Sequence, residues 1–242
     1  MKITGIIAAG GRGQRLGVDG GKQLLEINGR PVVVWAIDAL ATARLVENIV
    51  VVCDPARVEE YAQHISATVQ TDKPLTFASG GNFREDSVYA GLVAAADADI
   101  VVIHDGARPL LEAQYADAAI QQLIDDSDTD GVVLASPAVD TIKRVENYYV
   151  TDTPQRRHYW HAQTPQVFWR DQLMKVYEAA KADGYRGTDD ASYFERKGGN
   201  ITVVPGSRTN IKITTAEDVQ FVQAIFALRG GSLSNTAAED IQ

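Results

Sequence analysis

Cysteine occurs once in the chain, at Cys53, so no intrachain disulfide can form and the protein suits a reducing compartment. Positive charge is in short supply: 23 Lys and Arg against 32 Asp and Glu give a formal net charge of −9 over 242 residues. That balance excludes a general nucleic-acid binder, which needs an excess of cationic surface. A phosphorylated ligand must instead be gathered by a local basic cluster, so the positions of individual Lys and Arg matter more than their number. Long apolar runs are also missing. The N-terminal run, Ile3 to Ala9, gives way to Gly10-Gly11 too soon for a signal or membrane segment, and the expected location is the cytoplasm, with no membrane partner. Histidine is sparse as well. His64, His104, His158 and His161 show neither the H-x-x-x-H nor the Cys-paired spacing of a metal site, so packing and hydrogen bonding are their expected roles.

What is present is 45% hydrophobic residues, enough for one large or two small cores and incompatible with a disordered or collagenous chain. Ile3 to Ala9, Asn48 to Cys53 and Asp99 to His104 are short, nearly continuous apolar runs, the pattern of parallel strands buried on both faces. Pro31 opens a stretch with Val32, Trp35, Ala36, Ala39 and Leu40 at helical spacing. Asn82 with Glu85, and Thr214 with Glu217, stand as N-cap signatures before Val88, Leu92 and Ala95 and before Val219, Val222 and Phe226. Strands alternating with helices predict an α/β fold, a mostly parallel sheet covered by helices on both faces. Val139 to Val145 and Tyr148 to Thr153 break that rhythm as polar-alternating runs around Glu146-Asn147, which predicts a long hairpin. A lone hairpin is marginal, so it needs either the body of its own subunit or a second copy of the chain. With no internal repeat and no linker, residues 1–229 are expected to form a single domain with an arm at about 137–160, and residues 230–242 a disordered polar tail.

The glycine-rich segment Ala9-Gly10-Gly11-Arg12-Gly13-Gln14-Arg15-Leu16-Gly17 follows the first strand, where backbone N–H groups can close on phosphate oxygens. Arg15 and Lys22 bring cationic charge to it. Leu16 stands where a dinucleotide fingerprint needs glycine and where a Walker loop needs its first glycine, and Gln23 replaces the Ser or Thr of the latter. By itself the segment reads equally as a turn. Three more motifs put polar groups at expected strand ends, the edge at which open parallel sheets bind ligands: Gly80-Gly81-Asn82-Phe83-Arg84-Glu85-Asp86-Ser87, Ile103-His104-Asp105-Gly106-Ala107-Arg108 and Asn210-Ile211-Lys212. Taken singly, Asn82 is an adequate helix cap, Lys22 an adequate solvated lysine, and Asp105 an adequate turn cap or ion-pair partner of Arg108.

Together with Trp160-His161-Ala162-Gln163-Thr164-Pro165-Gln166 and Thr188-Asp189-Asp190-Ala191-Ser192, these motifs resemble, in order and spacing over about Ile3 to Phe226, the 2-C-methyl-D-erythritol 4-phosphate cytidylyltransferase family of the non-mevalonate isoprenoid pathway. The resemblance implies a Rossmann-like nucleotidyltransferase fold with a protruding hairpin arm for dimerisation, and a CTP-dependent cytidylyl transfer without covalent intermediate. It implies that Ala9, Gly10, Gly11, Gly13, Arg15 and Lys22 wrap the triphosphate, with Arg15 and Lys22 stabilising the transition state. Gly80, Gly81, Asn82 and Ser87 match the cytosine-reading positions; Asn82 stands where the family often has Asp, and Gly10 where it often has Ala. Asp105, followed by Gly106, matches the carboxylate that holds Mg²⁺ (or another divalent cation) between CTP and the second substrate. Arg108, Thr141, Arg156, Thr164, Thr188 and Lys212 match positions that bind methylerythritol phosphate, Arg156 and Lys212 placing its phosphate for in-line attack. The implied assembly is a homodimer joined through the hairpin arm. A ribitol 5-phosphate cytidylyltransferase and a catalytically inactive nucleotide-binding regulatory module remain as alternatives at this point.

Overall fold

The computed structural model describes residues 1–11 and 23–230, and residues 12–22 and 231–242 lie outside the described residues. The first apolar run forms β1 (Ile3–Ala8), and the next described elements are a small antiparallel pair, β2 (Glu26–Ile27) and β3 (Arg30–Pro31). Pro31 then caps α1 (Val32–Thr42), as its fixed φ allows at a helix start. β4 (Asn48–Cys53), α2 (Val58–Thr68), β5 (Leu75–Ser79), α3 (Arg84–Ala94), β6 (Ile100–Asp105), α4 (Ala113–Asp125) and β7 (Gly131–Pro137) follow in alternation. The hairpin strands β8 (Arg144–Glu146) and β9 (Tyr149–Asp152) interrupt it. The chain ends with β10 (Trp160–Trp169), α5 (Arg170–Ala182), α6 (Ser192–Glu195), β11 (Ile201–Pro205) and α7 (Ala216–Leu228).

Seven strands form the central sheet in the order β11-β7-β10-β6-β1-β4-β5, all parallel except β10, which runs antiparallel to both β6 and β7. The period-two alternation of buried strands divides their side chains between two cores. Ile7, Val51 and Val102 face α1 and α4 through Val33, Leu40 and Ile120, whereas Ile6, Val52 and Val101 face α3 and α5 through Val88, Leu92 and Leu173. A third cluster seats α7 on α1, with Trp35 and Phe226 ring centroids 4.6 Å apart. Cys53 is fully buried, and that burial pushes its thiol pKa up to about 12, so it packs as an inert small side chain.

The sheet itself places the site. Chain order reverses at β1, with β4 and β5 on one side and β6 on the other, which opens a crevice at the carboxyl ends of those strands. Gly91 deepens it. A Cβ there would stand 2.5 Å from Ile6 Cγ2, so only glycine lets α3 lie this close to β1, and one helical turn earlier Ser87 is thereby brought to the strand ends.

Several boundaries differ from the sequence expectation. The third strand is Ile100–Asp105, one residue later than Asp99 to His104, so Asp105 ends the strand and is held by it. Both caps also move one residue on. Phe83 N–H donates to Asp86 Oδ2 at 3.2 Å, and Thr215, with Asp218, replaces the pairing of Thr214 with Glu217. The shorter Asp side chain wins because Asp218 Oδ2 gathers the N–H groups of Thr214 and Thr215 and the Thr214 hydroxyl, within 2.8 Å each. The hairpin is shorter than expected and turns at Asn147-Tyr148 instead of Glu146-Asn147, both central residues having positive φ (50° and 67°) as a primed two-residue turn requires. The segment from Val139 to Lys143 lies outside its first strand. Every residue of β8 and β9 is exposed, and the two strands pair with each other in a sheet of their own.

Candidate active site

Ser87 is the meeting point of the glycine turns. It is buried, its Oγ donates to Phe83 C=O at 3.2 Å and accepts from Gly81 N–H at 3.3 Å. A Cβ on Gly80 would lie 2.7 Å from that oxygen and 2.9 Å from the Cys53 carbonyl; one on Gly10 would lie 3.0 Å from Ser87 Oγ. Glycine at both positions lets the end of β1 and the end of β5 close on the same hydroxyl. Ala9 is buried with its N–H on Val52 C=O, Gly80 N–H bonds Cys53 C=O, and Gly11 and Asn82 are exposed beside them. Gly13, Arg15 and Lys22, expected around the triphosphate, lie outside the described residues.

The second group is built on Asp105, the last residue of β6. Its carboxylate is 2.6 Å from Lys212 Nζ, 3.5 Å from Arg84 Nε and 3.8 Å from Arg108 Nε. Burial alone would raise its pKa, but the charges of Arg84, Lys212 and Arg108 and the hydrogen bond from Lys212 more than offset that and hold it well below the usual carboxylate range. Arg84, Lys212 and Arg108 surround Asp105, and Arg84 also pairs with the buried Asp190, so three cations outnumber the two carboxylates they touch in an otherwise acidic chain. Lys212, just before α7, is the most exposed of the cations, and Arg108 is anchored by Nη1 on Asn210 C=O at 2.6 Å. The Arg108 Nε and the Asn210 Oδ1 are buried with no hydrogen-bond partner among the described residues. Burial leads the causes that pull the Arg108 pKa below its ordinary value.

A bulge in β10 between Ala162 and Gln166 brings Thr164 to the same place. Thr164 Oγ1 accepts from Asp105 N–H at 3.0 Å and lies 3.0 Å from Nδ1 of the fully buried His104. Because Nε2 of His104 faces the Arg108 carbonyl at 3.1 Å, Nε2 carries the proton and Nδ1 accepts from the Thr164 hydroxyl. Burial pushes the pKa of this imidazole down to about 4, which keeps the ring neutral and the arrangement fixed. Asp105, Gly106, Arg108, Thr164 and Lys212, all expected from sequence, are thus gathered at one strand end. Thr188 is exposed on the loop between α5 and α6, beside Asp189 and Asp190. Thr141 and Arg156 are exposed near the foot of the hairpin, where Arg156 donates to the Val139 carbonyl; among the described residues, no hydrogen bond or ion pair joins either to the Asp105 group.

Sequence reading misses Arg84, Asp190 and Gln166. Arg84 opens α3, where a cation opposes the helix dipole, and that misplacement is the signal that it serves something else. Its Nη1 and Nη2 donate to Asp190 at 2.9 and 2.6 Å. Gln166 in turn accepts the Asp190 N–H and donates to Asp189 Oδ2 at 2.8 Å. Among the described residues no group of three or more His, Cys, Asp or Glu could hold a metal. Asp105 would offer a hard cation one oxygen ligand, so such an ion would need its other donors from outside these residues. No helix among the described residues is long and apolar enough to cross a membrane.

The sequence profile of the family described as 2-C-methyl-D-erythritol 4-phosphate cytidylyltransferase matches residues 3–228. The protein of that name from Geobacillus kaustophilus (strain HTA426) is 37% identical over 230 residues, 95% of this chain and 99% of the relative. The one from Parasynechococcus marenigrum (strain WH8102) is 39% identical over 226 residues, 93% of this chain and 97% of the relative. The crystal structure of 4-diphosphocytidyl-2C-methyl-D-erythritol synthase from Anaerococcus prevotii DSM 20548 superposes with a TM-score of 0.81 at 28% identity, covering 93% of this chain and 96% of that one.

Proposed function

The chain belongs to the 2-C-methyl-D-erythritol 4-phosphate cytidylyltransferase family, and from that premise we propose how its residues divide the work of transferring the cytidylyl group of CTP to methylerythritol phosphate. A phosphate oxygen of methylerythritol phosphate forms a bond to the α-phosphorus of CTP while the bond to the bridging oxygen breaks and pyrophosphate leaves. No covalent enzyme intermediate is needed, so the protein's task is positioning and charge stabilisation.

Ser87 and the backbone of Gly80 and Gly81 read the cytosine, because a hydroxyl and fixed peptide groups at a turn offer both donors and acceptors to a base edge. The segment from Ala9 to Lys22 wraps the triphosphate, and Arg15 and Lys22 neutralise the charge that grows on the departing pyrophosphate. Asp105 would hold a divalent cation, Mg²⁺ being the expected one, and that ion would supply neutralisation of phosphate charge. Arg108, Thr164, Thr188 and Lys212 hold the polyol phosphate, together with Thr141 and Arg156 from beside the hairpin of a second copy of the chain. The observation that carries this reading is the convergence of Asp105, Arg108, Thr164 and Lys212, from three separate motifs, at the carboxyl end of β6.

The hairpin supports a homodimer. Tyr148, Tyr149, Val150, Tyr159 and Trp160 are exposed around it, an apolar surface that a thin two-stranded ladder does not keep stable by itself. The family membership and the sequence features are consistent with a cytoplasmic enzyme. The test is pyrophosphate release from CTP with methylerythritol phosphate or ribitol 5-phosphate as acceptor, and with ATP, GTP and UTP as competing donors. Fast turnover with CTP and methylerythritol phosphate, requiring added Mg²⁺, is expected; faster turnover of ribitol 5-phosphate overturns the acceptor, and no turnover with any pair leaves a binding module.

A further inference from the structure

Arg84 joins three parts of the molecule that the assigned site residues leave separate. It directly follows the Gly80–Phe83 turn, its fork is spent on Asp190 in the loop that carries Thr188, and its remaining nitrogen, Nε, faces Asp105 Oδ1 at 3.5 Å. The two oxygens of Asp105 are thereby divided, Oδ1 toward Arg84 and Oδ2 toward Lys212 and Arg108. The far end of the chain of contacts is immobile. Asp190 is fully buried, takes the Tyr177 hydroxyl at 2.5 Å and is fixed by its own N–H on Gln166. At the surface the same two segments meet again, with the Arg186 guanidinium 3.7 Å over the Phe83 ring and its Nε 3.4 Å from Glu85.

We propose that Arg84 is a positioning residue: held by Asp190, it fixes the Asp105 carboxylate in one rotamer, and through that carboxylate sets how the two substrates are presented to each other. Stability alone does not account for the arrangement. A buried ion pair recovers little beyond its own desolvation, and a cation at the first position of a helix works against the dipole. A planar five-donor fork, in contrast, is the group that can grip one carboxylate with two nitrogens and steer a second with the third. The inference rests on the reading of Asp105 as a substrate-facing ligand.

Arg84→Gln alone strands a buried Asp190 charge and risks unfolding, so the principal variant is the pair Arg84→Gln with Asp190→Asn, which removes both charges and keeps amide hydrogen bonding. Expected for the folded pair is a kcat lower by roughly ten- to a hundredfold, with the KM for CTP within about threefold, because misplacing a reacting group costs turnover before it costs binding. Calorimetric affinity for methylerythritol phosphate, measured without metal, should weaken several-fold. Arg84→Lys, which keeps the charge and loses the fork, should not restore turnover. In an Asp105→Asn background the paired change should add less than about a further twofold, since both act through one carboxylate. A lower melting temperature with kcat per folded molecule unchanged makes the contact a structural clasp and overturns the proposal, as do losses that multiply with Asp105→Asn. A neutral Asp105→Asn instead overturns the reading of Asp105, and this inference with it.

Discussion

The Lys212 ammonium lies 2.6 Å from Asp105 Oδ2, so the carboxylate proposed to hold the divalent cation is paired with a lysine. A lysine ammonium is a compact charge on a flexible stem and can swing to an arriving phosphate. The two residues should therefore fail differently. Asp105→Asn should raise the Mg²⁺ concentration for half-maximal activity by about tenfold, because a neutral amide oxygen binds a hard cation less well. Lys212→Gln should raise the KM for methylerythritol phosphate by about tenfold or more, the loss of one charge-assisted contact, and leave the Mg²⁺ titration in place. Matching defects in both titrations would show that the residues act only as a pair.

Gly80 and Gly10 both approach Ser87, but not equally. A Cβ on Gly80 meets Ser87 Oγ at 2.7 Å and the rigid Cys53 carbonyl at 2.9 Å, while one on Gly10 meets Ser87 Oγ at 3.0 Å and Cys53 O only at 3.5 Å. Gly80→Ala should cost about 1–3 kcal/mol of stability through overpacking and raise the KM for CTP. Gly10→Ala should be tolerated, with a small rotation of the serine. Thermal melts and CTP titrations of the two variants side by side decide it, and equal damage would mean that the Ser87 hydroxyl cannot give way to a Cβ on Gly10.

His104 makes stability depend on pH. Its pKa in the folded protein is about 4 because the ring is buried, against an ordinary value of 6.5, so as pH falls below about 6.5 the unfolded chain takes up a proton that the native imidazole refuses. Stability is full above that pH and declines toward pH 4, by about 3 kcal/mol at most. Asp105, whose pKa is depressed, loses its contribution only below the ordinary carboxylate range and does not shape this window. His104→Gln can still donate to the Arg108 carbonyl and accept from Thr164. Denaturant unfolding between pH 7.5 and 5 should slope for the wild type and be nearly flat for the variant; parallel slopes would assign the dependence to another group.

Much of this was legible in the chain because it is written locally. Three apolar runs and the Pro31 signature locate β1, β4, β6 and the start of α1 to within a residue, since buried parallel strands and a proline-started helix depend on near neighbours. Asp105 and Ser87 follow from motif order. The long-range pairings were not legible: β10 runs antiparallel between two parallel strands, and only that reversal, with its bulge, brings Thr164 to Asp105 N–H. Arg84 and Asp190 are hidden in the sequence for the same reason. Their partnership crosses the chain from the start of α3 to the loop before α6, and each residue alone looks like ordinary surface charge. Residue type, without the turn geometry, does not say whether Glu217 or Asp218 reaches back.

Arg156 lies just after a hairpin whose strands are wholly exposed, and in its own chain its guanidinium bonds the Val139 carbonyl, not the Asp105 group. If two chains exchange hairpins about a two-fold axis, each site takes Arg156 from the other chain and keeps its own Arg15 and Lys22. Lys22→Ala alone should lower kcat by about a hundredfold or more, as removal of a preorganised charge from a developing phosphate charge does. Arg156→Ala should be similarly impaired. Mixed under conditions that allow subunit exchange, the two dead parents should form heterodimers with one doubly damaged site and one intact site. Random pairing makes about half of the dimers mixed, and half of their sites are whole, so activity should return to about a quarter of wild type. With exchange demonstrated by differential tags, a mixture that stays inactive would place Arg156 in the site of its own chain and reduce the hairpin to an intrachain flap.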